Sequence, residues 1–165
     1  MRCEGGTSES IMAKKAPVFG RIDGWIFASL GSPERGLDDT EIYALITVAD
    51  VLNHAIPELD ELRRSLRLLY EHGLVEFGDI GVRRTLHGHM VARNCDVRRG
   101  GLFSIVENMT KALNSTAIKH PSVEGTPDLS YFTKRRYDAA LKKWQRFVNE
   151  ATNPQPETQE QSKAL

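Results

Sequence analysis

Five arginines on two neighbouring segments are the side chains of this sequence best suited to binding chemistry. Arg63, Arg64 and Arg67 lie within one predicted helix, and Arg83 and Arg84 lie on a predicted hairpin that follows it. A guanidinium group presents a planar fork of N–H donors, which matches phosphate oxygens and the edges of bases. The helical arginines fall between the leucines of their helix, so we expect them to face solvent. The five residues are therefore the candidate site for DNA.

Acidic residues on the same helix oppose that interpretation. Glu58, Asp60 and Glu61 occupy its first turns, where carboxylates stabilise the helix macrodipole but repel phosphate. They are also spaced to pair with arginines three or four residues later, for example Asp60 with Arg63 or Arg64. A solvated helix face held by ion pairs is therefore the alternative to a DNA-binding face.

A second basic cluster lies on another predicted helix, from about residue 128 to 149. Its cations are Lys134, Arg135, Arg136, Lys142, Lys143 and Arg146. Tyr137, Leu141 and Trp144 form an apolar stripe on the opposite face. We expect this helix to pack on the body with a solvated basic back, because charge runs usually face water. The alternatives are a separate phosphate site and a homodimer seam formed by the stripe.

Metal binding and catalysis have little support in the sequence. His87, His89 and Cys95 could supply three ligands, but a fourth is not evident and the spacing fits no common closed zinc site. The chain has no Gly-rich phosphate loop, no H-E-x-x-H and no G-x-S-x-G motif. We therefore predict no metal, no cofactor and no enzymatic activity.

The elements that position the five arginines can be predicted from apolar spacing. A short first helix is expected in "DGWIFASLGSP", with Asp23 as its N-cap. A second helix carries a stripe at helical spacing, formed by Ile42, Leu45, Ile46, Ala49 and Leu52. A third helix begins near Pro57, ends before Gly73 and buries one row of leucines: Leu59, Leu62, Leu66 and Leu69.

Two short strands follow the third helix. The runs "LVEF" and "VRRTL" are joined by "GDIG", whose glycines suit a tight turn. After Gly88 the pattern predicts irregular chain, and a fourth helix is expected from Ser104. Since two strands alone are marginally stable, the hairpin must pack on the helices.

The overall composition limits the partners and the cellular compartment that the protein can have. The chain of 165 residues carries 22 basic and 22 acidic side chains, so its formal net charge is zero and any case for nucleic acid depends on local patches. Two cysteines are too few for a disulfide framework. No apolar run approaches the roughly 20 residues of a membrane span. We therefore expect a cytoplasmic protein with no membrane partner.

Three helices followed at once by a hairpin resemble the winged helix-turn-helix domain. In "LYEHGLVEF", Leu69, Gly73, Leu74 and Val75 stand where many bacterial winged-helix regulators have a Leu-x-x-x-Gly-Leu-Val step. The run "VRRTLHG" is similar to their returning strand, and "ADVLNHAIPELDELRRSL" is similar to small uncharacterised bacterial winged-helix proteins. The resemblance covers about residues 23 to 90.

The resemblance implies a mainly α fold with a small β-hairpin, a winged helix-turn-helix plus a C-terminal helical extension. We expect residues 21–92 to form the winged-helix domain and residues 93–150 to form the extension, packed on it or forming a dimer seam. Residues 1–20 and 151–165 are expected to be disordered. The implied function is binding of double-stranded DNA in transcriptional regulation. The alternative is a winged-helix module that binds protein and not DNA, since a fold does not specify a function.

Overall fold

The computed structural model describes residues 18–31, 39–95, 101–117 and 124–153. Within them the chain forms six α-helices and one antiparallel hairpin, so the predicted mainly α fold with a small β-hairpin is confirmed. In chain order the elements are α1 (Arg21–Ser29), α2 (Ile42–Asn53), α3 (Leu59–Glu71), β1 (Val75–Gly78), β2 (Gly81–Arg84), α4 (Leu86–Asn94), α5 (Leu102–Ala117) and α6 (Lys134–Thr152).

Helix α1 is the central element of the core. It is buried on all sides from Asp23 onwards, because it packs against α2, α3 and α5. The predicted N-cap, Asp23, is wrong: the helix begins after Gly20, and the Asp23 carboxylate accepts the Gly20 N–H at 2.7 Å from inside the first turn. The same carboxylate accepts the hydroxyl of buried Ser65, which ties α1 to α3.

The predicted apolar rows of α2 and α3 are confirmed with one exception. All five stripe residues of α2 are buried, as are Leu62, Leu66 and Leu69 of α3, whereas Leu59 is only partly buried. Gly73 ends α3 with a φ of 65°. The N–H of Gly73 donates to the oxygen of Tyr70 at 2.8 Å, and that of Leu74 donates to the oxygen of Leu69 at 2.9 Å. These two bonds are the Schellman arrangement that the sequence predicts.

The hairpin has one inner and one outer face. Val75 lies opposite Arg84, and Phe77 lies opposite Val82, all on the face turned to the core. Thr40 adds a single bridge to the free side of β2, with its N–H 2.7 Å from the oxygen of Val82. The segment that leads into α2 is therefore joined to the hairpin.

Residues 86–94 form helix α4, whereas the sequence predicts a strand that ends at Leu86 and irregular chain after Gly88. The Thr85 hydroxyl caps it by accepting the Gly88 N–H at 3.0 Å, and Gly88 lies so close to Leu74 that a β-carbon would be 1.9 Å from its carbonyl oxygen. Helix α5 begins two residues before the predicted Ser104. Helix α6 begins at Lys134 behind a Thr133 cap, because the residues before it are a loop that inserts Phe132 into the core.

Helices α5 and α6, which lie in the predicted C-terminal extension, share one hydrophobic core with helices α1 to α3. Val106, Met109 and Leu113 of α5 and Ala140 of α6 belong to the same buried cluster as α1 to α3. Most residues of the two ends that the sequence predicts to be disordered lie outside the described residues. Of those that are described, Phe19 is buried, and α6 continues to Thr152. Among the described residues, no helix is long and apolar enough to cross a membrane.

Candidate nucleic-acid interface

Two arginines on α3 have the exposure that phosphate or base contact needs. Arg64 and Arg67 are exposed and lie three residues apart, so they share one helix face. Neither forms an ion pair with any part of the chain that the structure describes. Arg63 is partly buried, and its Nε is enclosed without a hydrogen-bond acceptor. Of the three helical candidates, Arg64 and Arg67 are therefore available to a ligand.

The acids at the start of α3 cap the helix. Oε2 of Glu61 accepts the backbone N–H of Glu58 at 3.0 Å, in a reciprocal capping box. The predicted pairs of Asp60 or Glu61 with Arg63 and Arg64 are not among the ion pairs of the described residues. The acids are therefore explained by helix capping and the macrodipole, and they still place negative charge at this helix end.

Arg83 is held by two carboxylates on the outer face of the hairpin. Its Nε is 2.8 Å from Oε1 of Glu76, and its Nη1 is 3.2 Å from Oδ1 of Asp39. Glu76 chiefly, and then Asp39, raise the pKa of the Arg83 guanidinium. Asp79 is exposed at the turn beside them. This face holds two carboxylates against one guanidinium, with a third carboxylate exposed at the turn, so it repels phosphate.

Arg84, predicted from the sequence as a DNA contact on the hairpin, lies in the interior. Its side chain lies over the Phe27 ring at 4.9 Å, and the residue is 4% exposed. Its Nη2 donates to the oxygen of Phe27 at 2.7 Å, and its Nη1 donates to that of Gly31 at 2.9 Å. Both carbonyls lie at the C-terminal end of α1, where a cation is favoured. Burial lowers the pKa of the Arg84 guanidinium to about 10.

The reason for this placement is the alternation of side chains along β2. Val82 and Arg84 are two residues apart, so they project from the same face, and Val82 is fully buried. The candidate site predicted from the sequence did not include Asp39 and Glu76, the two partners of Arg83. Glu76 could have been found, because residues 76 and 83 pair across the predicted turn.

Helix α6 carries the other predicted cations in three different settings. Lys134 pairs with Asp138 at 2.8 Å, Arg136 lies 4.3 Å over the Tyr131 ring, and Lys143 lies 4.1 Å over the Tyr43 ring. The remaining three, Arg135, Lys142 and Arg146, are exposed and form no ion pair within the described residues.

The apolar face of α6 packs against the body of the same chain. Tyr137 and Trp144 contact the core, and the Tyr137 hydroxyl donates to the oxygen of Pro57 at 2.8 Å. Burial and the charge of Glu58 raise the pKa of Tyr137. The hydrogen bond fixes the first turns of α6 beside the start of α3, and these contacts occupy part of the stripe predicted as a dimer seam.

The histidines considered as metal ligands lie on α4. In the part of the chain that the structure describes, no three His, Cys, Asp or Glu side chains come together as a metal site would require.

No protein family, curated protein or solved structure matches this chain.

Proposed function

We propose that this chain is a winged helix-turn-helix protein that binds double-stranded DNA, with α3 as the recognition helix. The element order supports the fold assignment, since three helices lead directly into an antiparallel hairpin. The bridge between Thr40 and Val82 also supports it, because it joins a third extended segment to the hairpin. The regulation of transcription is the process in which such a protein would act.

The observation that carries the proposal is the exposed pair Arg64 and Arg67 on α3. They are about 4.5 Å apart along the helix axis, a spacing at which two side chains can reach neighbouring bases or phosphates in the major groove. Arginine binds the O6 and N7 atoms of guanine with two hydrogen bonds, which contributes about 1–3 kcal/mol of discrimination. The hairpin does not take part, because Arg83 is already paired and Arg84 is buried.

A gel shift with sheared genomic DNA at about 50 mM salt tests the proposal, since phosphate-driven binding is strongest at low salt. The double variant Arg64→Ala/Arg67→Ala should weaken binding, and it should weaken preferred fragments more than average ones. The matched control is Arg83→Ala, which removes a cation from the hairpin and should leave the shift unchanged or slightly stronger. If the parent protein gives no shift at this salt concentration, the proposal is wrong.

A protein-interaction module is the second candidate, and two features favour it. The outer face of the hairpin is acidic, and the apolar side chains of Leu86 and Met90 are 68% and 55% exposed one turn apart on α4. Exposed apolar groups of this kind are typical of surfaces that contact other proteins. If the parent protein is folded by circular dichroism but gives no gel shift with DNA, the protein-interaction module replaces DNA binding as the proposed function.

A further inference from the structure

We propose that helix α6, and not the hairpin, holds the DNA backbone, through a row of three cations: Arg135, Lys142 and Arg146. We call these three residues the α6 row. This inference rests on the proposed DNA binding and adds to it the surface that contacts phosphate.

The charge of α6 is the first argument. The helix carries six Lys and Arg residues against two carboxylates, Asp138 and Glu150, which gives it a net charge of +4. Helix α3 carries three basic and three acidic residues, so its net charge is zero. Phosphate contacts provide most of the electrostatic affinity for DNA, and neutral α3 cannot provide it alone. Among the described elements, α6 has the charge that this role requires.

The geometry of the α6 row is the second argument. Its members are seven and four residues apart, which places them on one helix face over about 16 Å of axis. Ala140 and Trp144, which pack on the core, lie on the opposite face. A DNA strand carries one phosphate about every 3.4 Å along the duplex, so the row can pass alongside several phosphates. Intramolecular packing thus orients the row outward.

The state of the neighbouring cations is the third argument. Lys134 is neutralised by Asp138, whereas Arg136 and Lys143 are fixed over tyrosine rings and remain exposed. Such contacts restrain long side chains that would otherwise lose conformational entropy on binding. The α6 row and its two flanking cations therefore form a partly ordered basic surface.

One contact of α6 lies near the start of α3, on the α6 face opposite the α6 row. The hydrogen bond from Tyr137 to Pro57 places the start of α6 beside the start of α3, two residues before that helix begins. In helix-turn-helix proteins, the N-terminal residues of the recognition helix contact the base edges. The net charge of +4 on α6 would then offset, at a distance, part of the repulsion between phosphate and Glu58 or Glu61. A solvated basic back is the alternative explanation, and it predicts that neutralising the row changes no binding.

Fluorescence anisotropy with a labelled pool of DNA duplexes, measured from 50 to 300 mM salt, tests the inference. The variant Lys142→Gln/Arg146→Gln should reduce the slope of log affinity against log salt by about 2, near 0.9 for each lost phosphate contact. At about 100 mM salt this amounts to a loss of roughly tenfold to a hundredfold in affinity. The charge-matched control is Arg93→Gln/Lys111→Gln, which neutralises two exposed cations on α4 and α5 and should preserve the slope.

The outcomes separate this inference from the proposed function. If Arg64→Ala/Arg67→Ala weakens binding while the α6 variant keeps the parental slope, the α6 inference is overturned and DNA binding through α3 stands. A reduced slope in the α6 variant, with binding unaffected in the α3 variant, supports the inference and refutes the role of α3. A parent protein that does not bind DNA overturns both. Both are also overturned if the protein binds no DNA but binds vesicles with about 30% phosphatidylserine through the α6 row.

Discussion

Replacing Arg84 by alanine is expected to lower the free energy of unfolding by about 2–4 kcal/mol. The Arg84 guanidinium donates to the carbonyl oxygens of Phe27 and Gly31 at 2.7 and 2.9 Å. Hydrogen bonds from a charged group contribute about 1.5–3 kcal/mol each, or about 3–6 kcal/mol for two. Arg84 has no ion pair within the described residues, so removing it recovers part of the cost of burying its charge. The net loss is therefore smaller than the sum of the two hydrogen bonds.

Thermal unfolding followed by circular dichroism measures this loss. At about 2–4 °C per kcal/mol for a chain of this size, the Arg84→Ala variant should melt roughly 4–16 °C below the parent. The matched control is Arg83→Ala, at the preceding residue of the strand. Its side chain is 39% exposed and pairs with Glu76 and Asp39 at the surface, so its loss should cost less than that of buried Arg84. Equal melting temperatures for the two variants would refute the structural role of Arg84.

A third variant separates the hydrogen bonds of Arg84 from its packing. Arg84→Met keeps most of the apolar stem against Phe27 but leaves both carbonyl oxygens at the end of α1 without their donor. If the hydrogen bonds are the larger contribution, this variant should be nearly as destabilised as Arg84→Ala. Parental stability in Arg84→Met would show that the side chain acts through packing alone.

Local patterns were sufficient for the parts of the fold that depend on local physics. The leucine row of α3 and the turn at Gly73 were predicted because helical spacing and a left-handed glycine act within one segment of chain. The hairpin was predicted because two glycines flank its two-residue turn. Helix α4 was missed because it is short, only weakly amphipathic and interrupted by Gly88, which packs on the backbone of Leu74.

The candidate site was predicted less well, because it depends on contacts between distant segments. Arg84 reaches carbonyls 57 and 53 residues earlier in the chain, and Arg83 pairs with Asp39, 44 residues earlier. No local pattern reveals these partners. Arg64 and Arg67 were predicted to be exposed because their position relative to the leucine row is a property of α3 alone.

Three further predictions concern the interior. Leu66→Ala, at a fully buried site in α3, should cost about 2–5 kcal/mol, whereas Leu68→Ala, at a partly buried site, should cost less; equal losses would contradict the assigned core face. Gly88→Ala should lower the melting temperature, because its β-carbon would meet the Leu74 carbonyl oxygen at 1.9 Å, whereas Gly20→Ala, with 3.6 Å to its nearest neighbour, should lower it less. The last prediction is a loss of stability in acid that depends on His72, whose ring packs edge-on against Phe19 at a centroid distance of 4.9 Å. Burial lowers the pKa of His72 from its ordinary value of 6.5, and the charge of Glu71 offsets only part of this effect. The unfolded chain therefore binds a proton at His72 more readily than the folded chain, so this contribution to stability is complete above pH 6.5 and is lost as the pH falls through the lowered pKa. His72→Phe keeps an aromatic ring beside Phe19 but cannot titrate. Urea unfolding at pH 7.5 and pH 5 should show a smaller loss of stability in this variant than in the parent, and an equal loss in both would contradict the assignment to His72.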